Sequence, residues 1–211
     1  MNTRTFVLAL AAAAVMTACQ SNKSAGPAPT NPYLREELLD ILQDDQMIRA
    51  EIPLNIDADG DLDPKFIEKM DRVDAHNRER LNLIIDDHGW PTISKTGEQG
   101  ATSAFIIALH TPKTEMPFIE SCLAYMQDAA EYGQANPANL AYLEDRVRMY
   151  NQQPQVYGTQ FIDDENGELM VYPIADVDRL DQRRASVGLP PFAEYEAMVR
   201  ETDFYLARPD N

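Results

Sequence analysis

The chain has 211 residues, and its 35 acidic residues against 18 basic ones give a formal net charge of −17. Such a surface repels nucleic-acid phosphates and anionic lipid headgroups, which argues against nucleic-acid binding and against charge-driven membrane docking. With 44% hydrophobic residues, the chain is long enough for one domain with a proper core.

The first eighteen residues carry one positive charge, Arg4, then an apolar run from Phe6 to Val15, then Met16-Thr17-Ala18-Cys19. Charged start, short apolar stretch and small residues at the cut are the order of a secretory signal. The run is too short to span a hydrocarbon core of about 30 Å as a helix. Small residues leading into a cysteine resemble the lipobox of bacterial lipoproteins, with Met16 where leucine is commonest. The expectation is a signal over 1–18, lipidation of Cys19 and membrane attachment through that lipid. Gln20 in place of aspartate after the cysteine points to the periplasmic face of the outer membrane. Residues 19–30, rich in Ser, Asn, Gly, Ala and Pro, read as a tether to a single domain over 31–211. With Cys19 lipidated, Cys122 has no disulfide partner, and it falls on an apolar helical stripe with Phe118, Ile119, Met126 and Ala129 as a small buried hydrophobe.

Helix starts are legible. Asn31-Pro32, Asp63-Pro64 and Asn136-Pro137 each set a capping side chain before a proline suited to the first turn. Helices are expected near 32–50, 64–88, 98–110, 115–132, 137–150, 176–187 and 191–204, with Gly89 and Gly188 as terminators. Ala101 to Leu109 is apolar on nearly every side, so that helix is the central one. Between the fifth and sixth helices, two runs rich in aromatic and branched residues flank Asp164-Glu165-Asn166-Gly167, which predicts a β-hairpin over about 156–173. The fold class is therefore mainly α, one multi-helix domain with an inserted hairpin.

Periodicity also places polar residues where a core belongs. Leu34, Leu38, Ile41 and Leu42 form one stripe of the first helix, and its continuation carries Asp45 with Arg49 one turn on. In the second helix Phe66, Met70, Val73, Leu81 and Ile84 make the stripe, with Asn77 in its middle, Asp74 at its shoulder and His88 on the same face; His76 points away. Buried carboxylates require partners. His110 ends the central helix, where the helix dipole favours its protonated form. Arg146 borders the stripe of the fifth helix, and Asp145 faces nearly the opposite way. Tyr157, Thr159, Gln155 and Gln160 stand at the mouth of the hairpin.

Asp57, Asp59, Asp61, Asp63 and Glu68 place oxygens at positions 1, 3, 5, 7 and 12 of an EF-hand-like loop, a weak calcium candidate. Leu62 stands where the loop needs glycine, and Pro64 where it needs a donor. The alternative is a solvated loop ending in the Asp63 cap. Glycine-rich phosphate loops, zinc-spaced histidines and nucleophile elbows do not occur in the chain.

Asp45-Gln46-x-x-Arg49, Asp74-x-x-Asn77, Gly89-Trp90-Pro91-Thr92, His110, Asp145-Arg146-Val147, Tyr157-Gly158-Thr159-Gln160 and Asp181-x-Arg183-Arg184 with Gly188-Leu189 follow one another in order. Over roughly residues 40 to 196 this resembles a bacterial domain-of-unknown-function family carrying these signatures. The resemblance implies a shared fold unit and no reaction. The leading expectation is a lipid-anchored envelope protein binding a small polar ligand or a protein partner, with Asp45, Arg49, Asp74, Asn77, His110, Arg146, Tyr157 and Gln160 lining one pocket. In that pocket Arg49 or Arg146 would hold an anionic group. A hydrolase or transferase would use His110 with Asp74 or Asp145 as orienting partner and Arg146 as charge stabiliser. A structural envelope lipoprotein with no site is the third reading.

Overall fold

The computed structural model describes residues 28–57, 61–165 and 168–206. The three proline-primed starts form as expected. Asn31 Oδ1 accepts from Leu34 N–H at 3.1 Å, Asp63 Oδ1 from Lys65 N–H at 2.8 Å and Asn136 Oδ1 from Ala138 N–H at 2.9 Å. Helix α1 spans Pro32–Ala50, α2 Pro64–His88, α3 Ile93–Leu109, α4 Met116–Glu131 and α5 Pro137–Tyr150. Strands β1 (Phe161–Asp163) and β2 (Leu169–Val171) form an antiparallel pair with Ile162 opposite Met170. Helices α6 (Leu180–Ser186) and α7 (Phe192–Leu206) complete the mainly α fold. The hairpin pairs over fewer residues than the alternating pattern allows, and the expected Asn166-Gly167 turn lies outside the described residues. A 3-10 turn over Val177–Arg179 leads into α6, where the pattern predicts continuous helix from 176. Within α3, Gly97 has φ 72° and ψ 171°, a conformation closed to side chains with a Cβ, so the continuous helix begins after it, close to the expected residue 98.

Helix α3 is the central one, with Ser103 through Leu109 all buried. It packs on α1, α2, α4 and α5. Ion pairs of Arg80 with Asp40 and Asp44, Arg49 with Asp74 and Lys69 with Glu51 step in opposite directions along α1 and α2, so these two helices form an antiparallel hairpin. Their apolar residues fall into two clusters. Leu34, Leu38 and Ile41 of α1 and Leu81, Ile84 and Ile85 of α2 join the main core with α3, whereas Ile48, Leu62 and Phe66 form a satellite. Asp45 lies between Ile41 and Ile48, and Asn77 between the satellite's Val73 and the core's Leu81. The polar residues thus occupy the seam where the two apolar clusters part. Among the described residues no helix is long and apolar enough to cross a membrane.

Candidate functional site

Facing stripes of α1 and α2 bring Asp45, Arg49, Asp74 and Asn77 together, and the C-terminal end of α3 delivers His110 to the same place. Asp45 Oδ1 lies 2.8 Å from His110 Nδ1 and 2.8 Å from an Arg49 terminal nitrogen, and Gln46 Nε2 donates to its second oxygen at 2.8 Å. The other terminal nitrogen of Arg49 reaches both oxygens of Asp74, at 3.0 and 3.1 Å. Asp45, Asp74, Asn77, Ile107 and His110 line a crevice too tight to hold a water molecule. Its floor is sealed, with the Asp45 and His110 side chains 1% and 4% exposed. Its rim is Arg49 and Asp74, at 11% and 16%.

Four polar atoms here have no hydrogen-bond partner among the described residues: Oδ1 and Nδ2 of Asn77, Nε2 of His110 and Nε of Arg49. The protonation states follow from burial and neighbours. Burial, reinforced by Arg49, lowers the His110 pKa from its ordinary 6.5 in spite of Asp45 and Asp74, so the imidazole is neutral at pH 7. This reverses the expectation from the helix dipole, because loss of solvation and a guanidinium at close range outweigh a partial charge at a helix end. Burial would raise the Asp45 pKa, but His110 and Arg49 overcome it and hold the carboxyl below its usual range. Asp74 goes the other way, its burial outweighing Arg49. An ionised Asp45 only accepts hydrogen bonds, so the single imidazole proton sits on Nδ1 and Nε2 carries a lone pair.

The remaining expected residues belong elsewhere. Arg146 donates to Tyr150 Oη at 3.4 Å, and Tyr150 Oη donates to the Thr111 carbonyl at 3.3 Å. Arg146 therefore meets the chain beside His110 only through Tyr150 and does not line the crevice. Asp145, proposed from the sequence as an orienting partner for His110, is committed to the 156–159 segment. Its carboxylate accepts from the backbone N–H groups of Val156 (2.6 Å), Tyr157 (3.1 Å) and Thr159 (3.0 Å), and from Thr159 Oγ1 at 2.9 Å. Burial raises its pKa, and these donated bonds offset only part of the rise. Gln155 bridges the same segment to the hairpin, accepting from Gln160 N–H and donating to the carbonyls of Gln160 and Tyr172. Tyr157 and Gln160 thus take part through their backbones, and Gln160 Nε2 bonds the neighbouring Thr159 Oγ1 at 2.9 Å.

Helices α6 and α7 close this second network. Arg184, fully buried, donates to the carbonyls of Tyr157 (2.6 Å) and Pro190 (2.7 Å) and lies over the Tyr195 ring at 4.9 Å. Arg183 holds the carbonyls of Val156, Ala175 and Asp176. Asp181 accepts from the N–H of Phe192, the first residue of α7. Gly158 has φ 68°, and an added Cβ would come within 3.0 Å of the Phe192 ring, so both backbone conformation and space require glycine there. These signatures build a scaffold.

Cys122 is buried and its thiol is pushed up to about 12 by burial, the chemistry of a core residue. Trp90 is buried against Tyr125. His88 is exposed at the end of α2, like His76; the stripe of α2 runs out of core before its last turn. In the acidic loop Asp63 caps α2, and Asp61 N–H bonds Asp57 Oδ1 at 2.8 Å. Glu68 is exposed, and Asp59 is outside the described residues, as is Cys19. Among the described residues no group of three His, Cys, Asp or Glu is placed to hold a metal ion. Two neighbours of the crevice escaped the sequence reading as site residues, Gln46 and Ile107. Ile107 stands three positions before His110 on the same helix face, a signal that the uniform apolarity of α3 hides.

A family model described as a family of unknown function, DUF6624, matches residues 32–206. The chain belongs to this family. The DUF6624 match runs from the start of α1 to the end of α7, so it takes in both the crevice and the scaffold. No curated protein and no solved structure matches the chain.

Proposed function

We propose that this chain is a lipid-anchored protein of the bacterial cell envelope, attached through Cys19, and that the crevice at His110 binds a small polar ligand. The observation that carries the site is the set of unmet polar atoms on Asn77 and His110. Each buried group left without a partner costs on the order of 1–3 kcal/mol. The scaffold around Asp145 also holds unmet atoms, Gln160 Oε1 and one Arg184 terminal nitrogen, but each belongs to a side chain bonded through its other polar atoms. The Asp145 carboxylate has four donors, whereas at the crevice the Asn77 amide has no partner at all among the described residues. Polar groups held unpaired in a seam between helices are what a ligand can satisfy. Access requires the rim to yield, and the Arg49–Asp74 pair is the most exposed part of the wall.

One observation favours a catalytic variant of this reading. Asp45 fixes the His110 tautomer through a 2.8 Å contact at Nδ1, which leaves Nε2 as a lone-pair base. Asp45 then takes the orienting role that the sequence pattern offered to Asp74 or Asp145. Among the described residues no serine, threonine or cysteine lines the crevice, so a nucleophile would come from the ligand itself, or from water admitted when the rim yields.

Replacement of Asn77 by leucine separates a site from a structural network. A site predicts a more stable protein, because the change removes unmet polar atoms from the interior. A structural network predicts a less stable one, and that result would end the ligand reading.

A further inference from the structure

Resting on the crevice as a ligand site, we infer that its ligand presents a cationic hydrogen-bond donor, a primary ammonium group, and not an anion. The crevice lining holds two carboxylates, one amide, one imidazole and one isoleucine, and no cation. Arg49 stands beside it, but its two terminal nitrogens are both engaged, one with Asp45 and one with both oxygens of Asp74. Its Nε, buried at the rim without a partner among the described residues, offers a single N–H and no pair of terminal nitrogens for an anion to bridge. The anion-holding role expected for Arg49 or Arg146 therefore has no free terminal guanidinium pair at the crevice to perform it.

Charge gives the same answer. With His110 neutral, Asp45 and an Asp74 carboxylate held by both oxygens on the Arg49 guanidinium leave the cluster one negative charge in excess. An anion would add a further negative charge in a site nearly closed to water, where like charges repel most strongly. A cation neutralises the excess, and the chain's net charge of −17 favours its approach at long range. Hydrogen-bond capacity agrees. The unmet acceptors are His110 Nε2 and Asn77 Oδ1, with Asp74 at the rim, and an ammonium carries three N–H donors to meet them. The unmet donors, Asn77 Nδ2 and Arg49 Nε, call for a neutral acceptor elsewhere on the same ligand. A divalent metal is the competing cation. It would have to take Asp74 from a two-oxygen contact with Arg49 and bind beside that guanidinium.

The test uses the full chain labelled with 15N-histidine. Its three histidines give an internal control, since His76 and His88 are exposed. Ethylammonium chloride, sodium acetate, ethanol and magnesium or zinc chloride are titrated at matched ionic strength, and the ring nitrogens are followed by NMR. Ethylammonium should move the His110 Nε2 signal saturably, with a Kd of about 1 mM or weaker, the ceiling for a ligand of three heavy atoms. His76 and His88 should not follow. Asp74→Asn should weaken this binding at least about fivefold, a loss of about 1 kcal/mol. A response to acetate equal to or larger than that to ethylammonium overturns the inference, as does an equal response to ethanol, or a response confined to the metal ions. Silence with every probe overturns it too. The reading of the crevice as a site falls separately, only if Asn77→Leu destabilises the protein.

Discussion

Asn77→Leu makes the strongest demand on this structure, because a polar-to-apolar change in a helix core is expected to stabilise. Asn77 is 1% exposed, and both of its amide atoms lack partners among the described residues. Leucine has the same number of side-chain heavy atoms with the same branching, so no cavity opens, and its helix propensity is better by a few tenths of a kcal/mol. Removing an unpaired buried amide relieves about 1–3 kcal/mol. Fitting two methyl groups beside Leu81 and Ile107 takes back up to about 1 kcal/mol. The net gain is about 1–2 kcal/mol, a rise in Tm of roughly 2–8 °C for a domain of this size. Differential scanning calorimetry with matched urea titrations measures it, and an unchanged m-value shows that only stability moved. A fall in Tm of more than about 2 °C would refute the reasoning, since it would mean that the amide holds the helices together.

The scaffold network predicts the opposite sign. Asp145→Ala strands three backbone N–H groups and the Thr159 hydroxyl, and should cost about 3–5 kcal/mol in the same urea titration; a loss under about 1 kcal/mol would contradict the geometry. The lowered His110 pKa makes stability depend on pH. The unfolded chain, with an ordinary imidazole of 6.5, takes up its proton before the folded one does, so this contribution is full above 6.5 and is lost as pH falls toward the depressed value. Asp45 and Arg49 of α1 and Asp74 of α2 face the ring; the raised Asp74 pKa opposes the loss at lower pH, so the quantity to measure is wild type minus His110→Gln. That difference should shrink as pH falls below 6.5, and a difference that grows would show His110 protonated in the fold. Finally, Cys19→Ser should abolish incorporation of labelled palmitate and release the chain from the membrane fraction; unchanged labelling would place the lipid elsewhere or exclude it.

Local chemistry made most of the helical frame legible. Capping residues before Pro32, Pro64 and Pro137 act within one turn, so they mark the same starts in the chain and in the fold. The apolar stripes of α1 and α2 likewise show that Asp45 and Asn77 face inward, because 3.6-residue periodicity is a property of each helix alone. Periodicity put Arg146 at the border of the α5 stripe but Asp145 on nearly the opposite side, and Asp145 is buried because the 156–159 segment covers that second side. The separation of both from His110 was not legible, since every helix with a buried polar residue looks alike until its neighbours are in place.

The sequence by itself determined most of the helical frame and the burial of Asp45 and Asn77, through caps, prolines and periodicity that act over a few residues, but not the exposure of His88 or the burial of Arg184. Only the tertiary structure decided what those side chains meet. Contacts between α1, α2 and the end of α3 gave His110 to Asp45, left Asn77 unpaired, and sent Asp145 and Arg184 to the hairpin scaffold. Partners as far apart as Asp45 and His110 are set by how helices cross, and neither local propensity nor spacing carries that information.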